Sequence, residues 1–268
     1  LIAAARKGKR VHVLLEGRAR FDELLNLRWY LRLVRAGVEV LPLPERKVHA
    51  KAFLILTREG GYAHLGTGNY NPTNGHHYTD FSLFTARKEV VAEVRAFFQA
   101  MAEEKTPRLG LLRTGEGIRR LLLEAVLHEA HPKGRLILKF NHLTDPELLE
   151  ALVYAASRVD LLVRSTLTRL HPAIRAKSLV GRFLEHARAA AFRAGGEWRV
   201  YLTSADAMPR NFQNRFELLF PVLDKEAKKK VLKVLKRQVR DDRNSFLLTP
   251  EGEKRLWGGR HDAQRLEL

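Results

Sequence analysis

The chain has 268 residues, which is enough for one large domain or two of ordinary size. It contains no cysteine, so disulfides, thiolate metal sites and cysteine nucleophiles are excluded. No stretch approaches the roughly 20 apolar residues that cross a bilayer, and no N-terminal segment has the pattern of a signal peptide. The 48 Lys and Arg against 30 Asp and Glu give a formal net charge of +18. This surplus attracts nucleic acid, anionic lipid or polyphosphate, although a solvated basic surface explains it equally well.

The first part of the chain alternates between predicted helices and strands. It opens with a Leu inside a predicted helix, residues 1–6, so we expect a further N-terminal part. The elements expected next are strands at 11–15, 38–41, 52–56 and 62–65, with helices at 22–35 and 90–102. The almost continuous apolar run at 52–56 is typical of a central strand buried on both faces. This rhythm predicts an α/β layer fold for a first unit, residues 1–105.

A second unit, residues 106–268, follows without a low-complexity linker. Its expected elements are helices at 118–131, 146–158 and 225–240, with strands at 135–139, 159–163 and 199–202. The absence of a linker predicts that the two units pack tightly. We interpret the charged helix at 225–240 as solvent-facing, and its run Lys225–Lys236 as a solvated face rather than a binding site.

Each unit contains a histidine that is followed two positions later by a cation and then by a predicted strand. The pairs are His49 with Lys51 and His186 with Arg188. A small loop begins at the same interval after each histidine: Gly66-Thr-Gly-Asn69 in the first unit and Thr203-Ser-Ala-Asp206 in the second. Side chains two positions apart on a strand lie on the same face. The duplicated pattern predicts that both histidines face one shared basic cleft.

Imidazole beside a cation suits phosphoryl chemistry. The histidine acts as nucleophile or general acid, and the cation stabilises the phosphate oxygens. Backbone N–H groups and the Thr67 hydroxyl in the loop from Gly66 to Asn69 can approach the same oxygens. The loop is equally consistent with a simple turn, and a lone histidine is usually structural. The repetition of the whole arrangement is what favours a functional site.

The duplicated motif resembles the phospholipase D superfamily, in which two half-sites of this kind meet at one pseudo-twofold active site. The fold class implied is α/β, with two tandem phospholipase D-like domains, each a mixed sheet flanked by helices. In the phosphodiesterases of that superfamily the motif continues with an Asp. Leu56 and Arg193 stand at those positions here, which argues against hydrolysis of lipid or nucleic-acid diesters.

A narrower resemblance extends collinearly over nearly the whole chain and is to the two C-terminal domains of the polyphosphate kinase family. It is carried by the runs Ala19–Glu23, Lys47–Lys51, Tyr62–Asn71, Tyr78–Asp80, Leu162–Arg164, Val180–His186, Ser204–Asp206 and Met208–Asn211, with Lys139, Asn141 and Asp145. Ser165 and Ala207 depart from the family pattern.

The resemblance implies a role for individual residues. His49 falls on the position of the phosphohistidine, and His186 on the second essential histidine near the nucleotide phosphates. Tyr78 and Arg164 fall on nucleotide-contacting positions. Arg20 falls on a position associated with the Mg²⁺–phosphate site; because a guanidinium cannot ligate a cation, we expect it to hold phosphate that the metal also touches.

The function implied is polyphosphate kinase: reversible transfer of the ATP γ-phosphate to inorganic polyphosphate through a phosphohistidine, with Mg²⁺ as cofactor. The expected partners are ATP or ADP, polyphosphate and further copies of the chain, with no specific nucleic acid. The expected location is the cytoplasm, with peripheral membrane association. Two alternatives remain: a polyanion-binding or regulatory protein without turnover, and a phospholipase D-like phosphodiesterase.

Overall fold

The computed structural model describes residues 1–16, 23–42, 44–103, 105–168, 170–194, 196–256 and 259–265. In its first half, the elements in chain order are α1 (Ile2–Arg6), β1 (His12–Val13), α2 (Glu23–Arg35), β2 (Glu39–Val40), β3 (Lys47–Val48), β4 (Lys51–Leu56), β5 (Gly61–Gly66), α3 (Pro72–His77), β6 (Tyr78–Thr79), β7 (Ser82–Thr85) and α4 (Lys88–Ala102). Predicted helices and strands of this half are therefore found at the expected places, with ends shifted by a few residues.

The second half has α5 (Glu116–His128), β8 (Leu136–Leu143), α6 (Pro146–Tyr154), a 3₁₀ turn (Ala156–Arg158), β9 (Val159–Leu167), β10 (Arg175–Leu179), β11 (Leu184–Glu185), β12 (Ala189–Ala194), β13 (Glu197–Thr203), α7 (Pro209–Gln213), β14 (Arg215–Phe216), β15 (Leu219–Pro221), α8 (Lys225–Arg240), β16 (Ser245–Thr249) and β17 (Gly252–Arg255). No helix among the described residues is long and apolar enough to span a bilayer.

An eight-stranded mixed sheet forms the centre of the second half. Its order is β15-β13-β12-β8-β9-β10-β16-β17. β8, β9 and β10 are mutually parallel, and β12 runs antiparallel to β8. Side chains of β8 alternate between the two faces. Leu136, Leu138 and Phe140 pack with α5 and α6 on one face, whereas Ile137 joins the core on the other.

The core on that second face is shared by the two halves of the chain. It joins Leu65 of β5 and Val94 of α4 to Leu202 of β13 and Leu235 of α8. Burial of apolar surface is the main stabilising term in such packing. The two halves are therefore held by one continuous core, as the absence of a linker predicted.

The prediction that strand 52–56 is buried on both faces is wrong. This segment is β4, and it lies at the end of a three-stranded antiparallel sheet ordered β4-β5-β7. Ala52 and Leu54 point inward and pack against the shared core. Phe53 and Ile55 point outward and are 41% and 47% exposed. Because α4 covers only one face of this sheet, an apolar run alone did not determine burial.

The two halves repeat each other around the paired histidines at one constant interval in the sequence. We call this the repeat interval, and it is the separation of His49 from His186. The same interval relates Lys51 to Arg188 and the start of α4 to the start of α8. It also relates β3 to β11 and β6 to β14. The pairing of β3 with β14 is therefore repeated as the pairing of β11 with β6. The molecule therefore has an internal pseudo-twofold arrangement, with the histidines at corresponding places.

Phe140 provides a test of where the main core lies. The side chain is 2% exposed in the centre of β8, so Phe140→Ala should lower the free energy of unfolding by about 3–5 kcal/mol. Phe84 is 78% exposed on β7, and Phe84→Ala should change stability by less than about 0.5 kcal/mol. Urea unfolding of both variants checks this, and equal losses would contradict the assigned core.

Candidate active site

Two pairs of very short parallel strands bring the histidines into place. β3 pairs with β14, and β6 pairs with β11, so each pair joins one half of the chain to the other. The N–H groups of His49 and Ala50 donate to the carbonyl of Phe216, at 2.9 and 3.0 Å. Those of His186 and Ala187 donate to the carbonyl of Thr79, at 3.3 and 2.9 Å. Each histidine is therefore anchored by backbone from the opposite half.

Phe216 and Thr79, whose carbonyls anchor the histidines, are each followed by an acidic residue. The carboxylate of that residue forms a hydrogen bond with the same histidine. His49 Nδ1 lies 2.9 Å from Oε2 of Glu217, and His186 Nδ1 lies 2.9 Å from Oδ2 of Asp80. An ionised carboxylate only accepts hydrogen bonds, so Nδ1 carries the proton in both rings. The partners are thus exchanged between halves, because Glu217 belongs to the second and Asp80 to the first.

Each carboxylate also accepts a hydrogen bond from a hydroxyl group of its own half. Thr67 Oγ1 donates to Asp80 at 2.6 Å, and Ser204 Oγ donates to Glu217 at 2.5 Å. Thr67 and Ser204 are themselves related by the repeat interval. Asn211 adds a donor to the second oxygen of Glu217 at 2.8 Å. These bonds hold the carboxylates in the orientation that the histidines require.

The two remaining ring nitrogens differ. Nε2 of His186 receives Arg188 Nη1 at 3.1 Å. Nε2 of His49 has no hydrogen-bond partner among the residues that the structure describes. A neutral imidazole with a free Nε2 lone pair is nucleophilic. The geometry therefore distinguishes two histidines that the sequence motif presents as equivalent.

Two buried cations complete the centre of the site. Lys51 is 5% exposed and donates to the carbonyl of His49. Arg188 is 4% exposed and makes a two-pronged ion pair with Asp206, at 3.1 and 3.2 Å. Arg188 also donates to the carbonyl of Thr67 at 3.3 Å, which ties it to the first half. Positive charge held in low dielectric favours bound phosphate oxygens.

Burial controls the protonation of these groups. It lowers the pKa of His49 to about 4, although Glu217 acts in the opposite direction. It also lowers the pKa of Lys51 to about 7, again opposed by Glu217. Burial alone would raise the pKa of Glu217, but His49, Lys51 and the Ser204 hydroxyl together lower it to about 2. The pair at neutral pH is therefore a neutral imidazole and an ionised carboxylate.

The predicted nucleotide-contacting residues lie beside His186. The Tyr78 ring is 5.1 Å from the His186 ring, centroid to centroid, and tilted by 45°. Arg164 Nε donates at 2.8 Å to the side chain of Asn141, which in turn donates to the carbonyl of His186 at 3.1 Å. Asn141 thus links the Arg164 guanidinium to the histidine backbone.

The small-residue loop lies in the same cluster. Gly66 pairs with Lys51 at the end of β5, and Thr67 is fully buried. A Cβ on Gly68 would overlap the carboxylate of Asp80, so only glycine fits there. Asn69 is exposed at the far end of the loop. Gly66 and Thr67 therefore lie within the cluster, and Asn69 lies at its edge.

A buried polar network supports the His186 side of the site. Oε2 of Glu185 accepts Lys139 at 2.6 Å, Gln238 at 2.7 Å and Thr79 at 2.8 Å. Its other oxygen accepts Gln264 at 2.8 Å. Glu185 directly precedes His186, and Thr79 directly precedes Asp80. The repeat interval places an apolar residue, Val48, at the position corresponding to Glu185, so this network belongs to one half-site only.

The structure therefore brings together the sequence-predicted residues His49, Lys51, Thr67, His186 and Arg188, with Gly66, Tyr78 and Arg164 around them. Arg20 lies outside the described residues. The Asp positions of the diesterase motif are not in the cluster. Leu56 pairs with Gly61, and Arg193 pairs with Trp198, at the far ends of β4 and β12.

Sequence reasoning did not assign site roles to the carboxylates, although the sequence contains a signal for them. Asp80 follows His49 at the same interval at which Glu217 follows His186. Comparing the two copies position by position would have selected both. No group of three or more His, Asp or Glu side chains that could hold a metal occurs among the described residues. Asp80, Asp206 and Glu217 are instead committed to histidine, arginine, hydroxyl and amide donors.

The two α/β halves therefore each contribute a histidine and a cation to one cluster, an arrangement that resembles the paired half-sites of the phospholipase D superfamily. The family model described as polyphosphate kinase C-terminal domain 1 matches residues 1–107, and the model for C-terminal domain 2 matches residues 116–265. The chain belongs to the polyphosphate kinase family.

Relatives support this membership across the chain. Polyphosphate kinase 1 of Chlorobaculum tepidum is 39% identical over 99% of this chain, which covers 41% of that relative. Polyphosphate kinase of Escherichia coli K12 is 41% identical over 88% of this chain and is covered to 37%. The chain thus spans about two fifths of the length of these relatives.

Solved structures show the same fold. The crystal structure of polyphosphate kinase from Porphyromonas gingivalis superposes with a TM-score of 0.87 at 31% identity, covering 98% of this chain and 44% of that one. Phosphatidylserine synthase of Haemophilus influenzae Rd KW20 has a TM-score of 0.61 at 11% identity, covering 91% of this chain and 76% of that one, and it shows the fold alone.

The lowered pKa of His49 predicts a pH dependence of stability. The unfolded imidazole binds a proton below its ordinary pKa of 6.5, whereas the folded one stays neutral until about pH 4. Stability contributed by neutral His49 is therefore present above pH 6.5 and is lost as the pH falls toward 4. Between about pH 7 and about pH 5 the loss should be about 2 kcal/mol.

Urea unfolding at both pH values, on the native chain and on His49→Gln, measures this contribution. The variant should lose less stability on acidification than the native chain, because Gln does not titrate. His186 is also lowered in pKa by burial and keeps its own contribution in both proteins. An identical pH dependence in the two proteins would show that His49 is not held neutral by the fold.

Proposed function

We propose that this chain is the phosphotransfer part of a polyphosphate kinase, which moves the ATP γ-phosphate to inorganic polyphosphate, and back, through phosphorylated His49. One observation carries the assignment of the residue. His49 has its Nδ1–H bonded to buried Glu217, while its Nε2 has no partner among the described residues. Family membership supports the substrate class, and this geometry supports His49 as the nucleophile.

The first step we propose is attack by Nε2 of His49 on the γ-phosphorus of ATP. An N–P bond forms, the P–O bond to the β-phosphate breaks, and ADP leaves with the electron pair. The ring becomes cationic, and Glu217 compensates that charge through the Nδ1–H bond. Lys51 and Arg188 stabilise the charge spread over the transferring oxygens.

The second step is attack by a terminal oxygen of polyphosphate on the same phosphorus. The N–P bond breaks, the polymer is one phosphate longer, and His49 returns to its neutral form. A phosphoimidazole has a high transfer potential, so ADP can accept the phosphate in the reverse reaction. We assign His186 to protonating or stabilising the leaving oxygen. Burial lowers the pKa of His186, and its bond to Asp80 acts in the opposite direction, so Asp80 supports the charged form that protonation requires.

The nucleotide would lie on the His186 side, against Tyr78 and Arg164. Because Asp80, Asp206 and Glu217 are committed to other donors, Mg²⁺ would be bound through the phosphates of the nucleotide rather than by an all-protein cage. Arg20 is proposed to hold phosphate near that ion. When bound, Mg²⁺ neutralises part of the phosphate charge.

Labelling with γ-³²P-ATP and Mg²⁺ tests this proposal. The label should be bound to nitrogen, so it should be lost in acid and survive alkali, the reverse of a serine ester. His49→Ala should abolish it, and His186→Ala should slow it by about 10²-fold or more. His171→Ala, which alters a histidine outside the cluster, serves as the matched control and should label normally.

Other outcomes separate the alternatives. Acid-stable label, or label that persists in His49→Ala, would show that the mechanism is wrong. Binding of polyphosphate without any label would identify a polyanion-binding protein without turnover. Hydrolysis of a phosphodiester substrate that depends on His49 would identify a phosphodiesterase. Leu56 and Arg193 stand at the Asp positions of the diesterase motif and lie at strand ends away from the cluster. We therefore expect no diester hydrolysis.

A further inference from the structure

Helix α8 carries a row of cations that the catalytic proposal does not use. Lys229, Lys233, Lys236 and Arg240 are all exposed, and their spacings of four, three and four place them on one face. We call these four residues the basic stripe. At about 1.5 Å per residue it extends for about 16 Å along the helix.

The pseudo-twofold arrangement provides an internal comparison for the stripe. Helix α4 is the counterpart of α8 in the first half, at the repeat interval. The four positions that correspond to the basic stripe there are Ala92, Ala96, Gln99 and Glu103. Both helices pack on the shared core. The fold therefore does not require cations on this face, and the stripe is a property of α8 alone.

The stripe is also unfavourable for the helix that carries it. Like charges three or four positions apart repel, and the row contains three such steps. The cation–anion contact that the structure shows for the row is that of Lys229 with Glu226, at 2.7 Å. Both side chains of that pair are 72% exposed, so it contributes little. A bound polyanion would convert this repulsion into attraction.

The surface around the stripe is shaped to receive a chain. The four cations line an open cleft of about 460 Å³. Arg240 also lines a second cleft of about 610 Å³, together with the cations Arg175 and Lys177, the pair of Asp242 with His261, and the apolar Leu247 and Leu256. The clefts adjoin at Arg240, so the basic surface continues past the end of the helix.

The opposite face of α8 reaches the wall of the active site. Gln238, close to the end of the stripe, donates to Glu185 at 2.7 Å, and Glu185 directly precedes His186. The apolar side chains Val231, Leu232 and Leu235 are buried in the shared core. Because its apolar face is already occupied, α8 cannot insert into a bilayer as interfacial helices do.

We propose that the basic stripe is a second binding surface for linear polyphosphate, which holds a stretch of the polymer outside the two-histidine site. The ligand class follows from the chemistry: a flexible chain of phosphates needs a row of exposed cations and no apolar pocket. This inference rests on the proposed function for its choice of polyanion, but it concerns residues that take no part in phosphoryl transfer.

Binding of long-chain polyphosphate and of tripolyphosphate to the 268-residue chain tests the stripe without any catalytic readout. The variant is Lys229→Gln, Lys233→Gln, Lys236→Gln and Arg240→Gln together. It should bind the long polymer at least about tenfold more weakly, with a shallower salt dependence, because fewer ion pairs form. Its affinity for tripolyphosphate should change less than about twofold, since three phosphates are too short to contact the whole stripe.

The matched control removes four exposed cations elsewhere, by Lys7→Gln, Lys9→Gln, Arg10→Gln and Lys88→Gln. It lowers the net charge by the same amount, so an equal loss of polymer affinity would overturn the proposal. Unchanged polymer binding by the stripe variant would also overturn it. So would loss of binding to phosphatidylglycerol vesicles with polyphosphate affinity retained, which would assign the stripe to membranes.

The outcome is separable from that of the proposed function. A stripe variant that loses the polymer, in a chain whose His49 is never phosphorylated, would support the binding surface and reject the kinase mechanism. Normal phosphorylation of His49 together with normal polymer binding by the stripe variant would support the kinase mechanism and reject the binding surface.

Discussion

The active site depends on an exchange of hydrogen bonds between two halves of one chain. Glu217 of the second half holds His49 of the first, and Asp80 of the first holds His186 of the second. Neither half supplies both members of a site histidine–carboxylate pair. The shared apolar core and the two short cross-strand pairs are therefore requirements of the proposed chemistry, because they fix the distance over which these bonds form.

Burial of the site makes its electrostatics effective and also constrains them. A buried charge costs free energy unless it is paired, and two of the buried cations are paired with a buried carboxylate. Arg188 is matched by Asp206, and Lys139 by Glu185. Lys51 donates to a backbone carbonyl instead, and burial lowers its pKa. The same low dielectric keeps His49 neutral, which is the form that the proposed phosphoryl transfer requires.

Much of the fold could be predicted from sequence because periodicity is a local property. Helices such as α4 and α8 were located closely from the spacing of their apolar side chains. The strands β3, β6, β11 and β14 were not recognised, since such short segments carry no periodicity and their partners lie in the other half of the chain. The histidines were located because their motif is duplicated. The carboxylates were missed because a single Asp or Glu has no local signature, although their matching intervals from His49 and His186 contained the information.

The central claim is that the histidine–carboxylate partners are exchanged between halves, and nitrogen-15 NMR of the two imidazoles tests it most directly. At about pH 7 both rings should be neutral with the proton on Nδ1. Glu217→Gln should shift the ring resonances of His49 and leave those of His186 nearly unchanged, whereas Asp80→Asn should do the opposite. A response of His186 to Glu217→Gln, without one from His49, would contradict the account.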